Sequence, residues 1–104
     1  MIRVIITDRE VQFWSDRTGK QHTIRCLEHP AVFGHPRHIM VDFEAAIALL
    51  NTALKAVHSR RLFAPRVEVH VRRAVTGGLA DVDLRTIKDF FVFAGAKDVK
   101  IFDP

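Results

Sequence analysis

The chain has 104 residues, 48% of them hydrophobic and 27% charged, with a net charge of +4. One domain spanning residues 1–104 is expected at this length, and the composition argues against disorder. No apolar run approaches the ~20 residues that cross a bilayer, and a single cysteine, Cys26, excludes an internal disulfide. The start of the chain reads as a strand, not as a secretory leader, so a reducing cytoplasm is the expected compartment. The positive balance suits an acidic protein, an anionic membrane surface or nucleic acid, and it also serves plain solubility.

Ile2, Val4 and Ile6 alternate with Arg3, Ile5 and Thr7 in a β-branched run that predicts a central strand. A tight turn is expected at Asp8-Arg9-Glu10. Val11 and Phe13 then alternate with Gln12 and Trp14 as a second strand. Asp16-Arg17-Thr18-Gly19 is a turn signal, and His22 to Leu27 alternates as a third strand. Such short connections predict an antiparallel meander. Glu28 to His38, with Pro30, Gly34 and Pro36, is expected to be a loop.

Asp42 is placed to start a helix as its N-cap or first-turn acid. Phe43, Ala46, Ile47, Leu50, Leu54 and Val57 fall at helical spacing and predict one buried stripe. Pro65 opens the next strand, in which Val67, Val69 and Val71 share a face. A second helix is expected from Ala80 to Phe93. Its stripe is Leu84, Ile87, Phe91 and Ala94, widened by Val82 and Phe90, and Gly95 is its expected terminator. Val99 to Phe102 completes the pattern as a short strand. The order β-β-β-α-β-α-β, with right-handed crossovers, predicts an α/β domain. Its mixed five-stranded sheet would run in the order 3-2-1-4-5 and carry two helices, which is a ribonuclease-H-like, actin-like half-domain.

Several segments resemble the bacterial actin MreB family. Val41-Asp42-Phe43-Glu44 is similar to the start of that family's first long helix, and Val57-His58-Ser59 to its end. Leu62-Phe63-Ala64-Pro65-Arg66-Val67 resembles the family's "LFxPRV". Leu27 to Val32 resembles its third strand. Arg85, Ile87, Ala94-Gly95-Ala96, Val99 and Pro104 match its next helix and strand. The resemblance covers nearly the whole chain, most strongly from Ile39 onward, and implies the first half of subdomain IA.

The departures bear on function. Asp8 stands where the family's glycine-rich phosphate loop has its aspartate, but Arg9 and Glu10 follow in place of the permissive glycine. The counterpart of subdomain IB is little more than Gly34 to His38. The chain given stops before the second phosphate loop and the adenosine pocket. Asp83 takes the place of the glutamate that positions the attacking water, but with no nucleotide held nearby the simpler reading is an acid in the first turn of a helix. The expectation is therefore a protein with no cofactor and no catalysis, acting by docking onto MreB, onto itself or onto another protein.

Two groups of residues are candidates for that docking. The resemblance implies that Leu62 and Phe63 form a loop that dips into the inner face of the membrane, with Arg60, Arg61 and Arg66 meeting anionic headgroups. Alternatively, either apolar residue folds back to cap the core. Phe90, Phe91 and Phe93 cannot all face one helical stripe, so Phe90 or Phe93 is expected at a protein interface, unless the core face is broad enough to take them.

Other readings carry less. His35 and His38 have a spacing that binds zinc, but no cysteine or carboxylate cluster completes a ligand set. Ser15, Ser59 and Cys26 lack a recognisable base partner. Gly77-Gly78 before a helix is a weak anion signal. Asp8 suits a ribonuclease-H-like metal centre, yet the fourth strand leads into Arg72 and Arg73 where carboxylates would be needed. Arg60, Arg61, Arg66, Arg72 and Arg73 compose the alternative, a basic nucleic-acid-binding module.

Overall fold

Alternating apolar residues build the sheet around which everything else is placed. The computed structural model describes residues 1–58, 64–75 and 77–102. Strands β1 (Ile2–Ile6), β2 (Glu10–Ser15) and β3 (Gln21–Arg25) form the antiparallel meander. Strands β4 (Arg66–Val71) and β5 (Asp98–Phe102) run parallel to β1 beyond it. The five strands lie in the order β3-β2-β1-β4-β5. This mixed α/β sheet matches the expected order.

Register determines the faces. Val4 opposes Phe13 on one side and Val69 on the other, and Val69 opposes Ile101. These residues, with Ile2, Ile6, Val11, Val67 and Val71, form the inner face and the core. Helix α2 (Phe43–Val57) and helix α3 (Asp81–Phe93) lie on that face. Ala46, Leu50, Ala53, Leu54 and Val57 of α2 and Ile87, Phe90 and Phe91 of α3 are buried there. Phe91 is 0% exposed and its ring lies 6.3 Å from that of Phe13. The opposite face of the sheet carries no helix among the described residues.

Two elements depart from expectation. The third strand ends at Arg25, and a 3-10 turn, Cys26–Glu28, follows with Leu27 89% exposed. A third helix, α1 (Pro30–Phe33), occupies the expected loop and the segment likened to a strand. Proline at the first helical position has no N–H to lose and a preset φ, so it starts a helix here. Gly34 closes α1 by donating its N–H to the Pro30 carbonyl at 2.9 Å. A Cβ at Gly34 would sit 2.5 Å from that same oxygen, so no other residue fits without a shift. Val32 and Phe33 are thereby delivered into the core.

Helix ends are closed by local chemistry. Gly95, at φ 119, terminates α3 as expected. Gly95 N donates to Val92 O at 3.1 Å and Ala96 N to Phe91 O at 3.0 Å, the paired bonds of a Schellman motif. Asn51 Nδ2 on α2 takes up the Ala94 carbonyl at 2.8 Å, tying the two helices together. Thr18 Oγ1 in the β2–β3 turn donates to Val57 O at the end of α2.

Asp42 caps α2 from a left-handed conformation, φ 59 and ψ 79, its carboxylate accepting from Ala45 N at 3.5 Å. That backbone costs an L-residue about 1–2 kcal/mol, and the long cap bond returns little. Asp42→Ala is expected to lose about 1 kcal/mol, because alanine tolerates the left-handed region less well than aspartate and the weak cap goes too, or about 4–8 °C in Tm. Asp42→Gly should hold or raise the melting temperature, since glycine removes the backbone penalty. Thermal unfolding of both variants checks this; an equal loss in both would show that the carboxylate, not the backbone, dominates.

Candidate functional site

The helical side carries an exposed aromatic cluster. Phe43 is the first residue of α2, directly after the left-handed Asp42, and is 47% exposed. Its ring lies 5.3 Å from those of both Phe90 and Phe93 on α3. Phe93 is 68% exposed and meets Phe43 edge-on. Val82, also exposed, lies three helical turns before Phe93 and so on the same stripe. Phe90 floors the cluster from the core.

The three phenylalanines singled out in the sequence thus divide. Phe93 is at the surface, Phe90 is buried beneath it, and Phe91 fills the core against Phe13 and presents no surface. Phe43, expected in the buried stripe of α2, stands at its edge because it is the helix's first residue and overhangs the core. The signal was its place next to the N-cap.

The C-terminal edge of the parallel strands holds the chemistry-bearing side chains. Arg73, just beyond β4, points into the α1–α2 connection. Its guanidinium donates to Phe33 O at 3.0 Å, Ile39 O at 3.2 Å and His35 O at 2.6 Å. The His35 and His38 rings lie 4.7 Å apart, and His35 Nδ1 accepts from Arg37 N. His38 Nδ1 is 3.7 Å from Asp83 Oδ1. Among the described residues, no group of three or more histidine, cysteine or acidic side chains is arranged to hold a metal ion.

Asp83 closes the first turn of α3. Its Oδ2 accepts from Ala80 N at 2.8 Å, while its own N–H donates to Ala80 O. Asp8 is exposed in the β1–β2 turn. The amides around it are engaged within the turn: Thr7 N donates to Glu10 O, and Arg9 N and Glu10 N both donate to Thr7 Oγ1. Amides held in this way do not point outward in the manner of a phosphate cradle.

Cys26 is buried, and burial pushes its thiol pKa up, with the Arg73 guanidinium opposing in part. A thiol held protonated is a poor nucleophile. Ser15 is buried, its Oγ accepting from Thr18 N.

Of the basic residues expected at a membrane or nucleic acid, Arg66 is exposed and lies 3.5 Å from Asp98. Arg73 is committed to the α1–α2 connection, and Arg72 is exposed. Arg60, Arg61, Leu62 and Phe63, with Ser59, lie outside the described residues. Among the described residues, no helix is long and apolar enough to cross a membrane. No protein-family model matches this chain, and no curated protein sequence matches it.

Proposed function

We propose that this chain is a non-enzymatic interaction module, an actin-like half-domain that docks onto another protein through its helical side. The exposed cluster of Phe43 and Phe93 over Phe90 carries this reading. Phe43 rests on the buried Phe90 and Phe93 meets Phe43 edge-on, so the pair is partly pre-ordered and less side-chain entropy is lost on binding. Aromatic residues of this kind are enriched at the centres of protein interfaces.

The sheet order and the resemblance to MreB support the actin-like assignment and make an MreB filament or a second copy of this chain the partner. The same resemblance supports a cytoplasmic protein that meets the inner membrane weakly through residues 60–63. A two-residue apolar wedge holds a membrane only when several copies act together, so protein docking comes first.

Co-sedimentation with purified MreB filaments and sedimentation velocity of the chain alone test this reading. Wild type is expected to pellet with the filaments or to self-associate. Phe43→Ser with Phe93→Ser should weaken that association about tenfold or more, as the loss of a central aromatic pair does. A wild-type chain that stays monomeric and in the supernatant overturns the proposal.

A further inference from the structure

The face of the sheet turned away from the helices is a second surface, and its chemistry differs from that of the helical side. Register lays Gln21, Trp14, Arg3, Glu68 and Lys100 in one row across all five strands. The next row is Thr23, Gln12, Ile5, His70 and Phe102. A sheet face left to water ordinarily carries polar groups with scattered single apolar ones. This one carries the chain's single tryptophan, 37% exposed, and Phe102, 45% exposed.

Both rings are set for stacking. The Arg3 guanidinium lies 5.7 Å from the centre of the Trp14 ring. His70 stacks on Phe102 at 4.8 Å and an interplanar angle of 12°. A hollow of about 290 Å³ opens beside Trp14, lined by Arg3, Ile5, Gln12, Gln21 and Thr23 among others. It offers an aromatic wall, a cation and side-chain amides, which suit a flat heteroaromatic ring with donors and acceptors on its edge.

Charge selects the occupant. The acids of this face are already engaged: Glu68 lies 3.7 Å from Arg3 and 3.5 Å from His70, and Asp98 lies 3.5 Å from Arg66. Glu10 accepts from the neutral Gln12 amide and keeps its charge, opposite Arg25 in the β2–β3 register. Arg25 and Lys100 on this face, and Arg72 just past its edge, make no ion pair among the described residues. Lys100 and Arg72 flank Phe102, while Arg25 lies two register rows from Trp14, and the cations of this face outnumber its acids.

We propose that the uncovered sheet face binds single-stranded nucleic acid, with one base stacked on Trp14 in the hollow and another on Phe102. Three strand spacings, about 14 Å, separate the two rings across the sheet, and Arg25, Arg72 and Lys100 meet the backbone phosphates. Stacking on sheet aromatics with cations at the rim binds single strands with little sequence preference, because every base has a π-face. The surface lies on the far side of the sheet from Phe43 and Phe93, so it is independent of protein docking there.

Because Trp14 is the chain's one tryptophan, its fluorescence reports the site directly. Oligouridylate and oligothymidylate are titrated into the full chain at low salt, following Trp14 emission and, with labelled strands, anisotropy. Saturable quenching by either strand is expected, with affinity falling steeply as salt rises. Anisotropy should show Trp14→Ala weakening binding about tenfold and Trp14→Phe retaining most of it. Phe102→Ala should lower affinity similarly. Both Trp14 and Phe102 are partly exposed, so circular dichroism should show these variants folded. Absence of quenching, binding that survives Trp14→Ala and Phe102→Ala together, or a duplex of equal length binding as tightly each overturns the proposal.

Discussion

Phe91→Ala is expected to remove about 3–5 kcal/mol of stability, a large part of the total for a domain of this size. Phe91 is fully buried against Phe13 at the centre of the sheet, so alanine leaves a cavity that the two helices and the sheet cannot close. Phe93, two residues on, is mostly exposed and touches Phe43 edge-on. Phe93→Ala should therefore cost under about 1 kcal/mol, the worth of such an aromatic pair. Urea unfolding of the two variants measures the difference. Comparable losses would mean that α3 is rotated from the arrangement described, and the surface proposed for docking would then be part of the core.

Arg73→Ala should be the most damaging polar substitution. One guanidinium satisfies the carbonyls of Phe33, His35 and Ile39 and so closes the connection from α1 to α2. Removing it strands those carbonyls and releases the segment that brings Phe33, Ile39 and Met40 into the core. The expected cost is about 2–3 kcal/mol, in the range for hydrogen bonds to a charged group. Arg73→Lys should recover only part, because an ammonium lacks the planar fork that reaches separated acceptors. Amide hydrogen exchange should localise the change: Val41 N–H, bonded to Val32 O across this connection, should lose protection in Arg73→Ala. If exchange at Val41 is unaltered, the arginine is not the clasp.

Much of the scaffold was legible because period and burial are coupled in a single chain. The valines at 67, 69 and 71 could lie on only one face of a strand, and the spacing from Ala46 to Val57 could serve only a helix. Short turns between the first three strands dictated an antiparallel meander, and the crossover rule placed the last two strands. Pro30 was misread because proline disfavours both a strand interior and a helix interior, and what decided for α1 was the bond from Gly34 to the Pro30 carbonyl.

The candidate surfaces were legible only in part. Clustering of Phe90, Phe91 and Phe93 pointed to aromatic surface near the end of α3, but a broad core face would have served the same pattern. Which ring emerged, and that Phe43 would join it, depended on how α2 crosses α3. Nothing in the local pattern distinguishes Arg72 from Arg73, yet one faces water and the other clasps three carbonyls across a gap of more than thirty residues. Trp14 and Phe102 are farther apart still along the chain, and only pairing through β1 and β4 puts them on one face.

Local order in the amino acids thus specified the five strands, the two long helices and the order of the strands across the sheet, though not the short helix α1, because those follow from backbone geometry and the hydrophobic period. Packing alone decided which side chains meet from distant segments, because contacts between separate elements depend on their relative placement and leave no periodic trace in the chain.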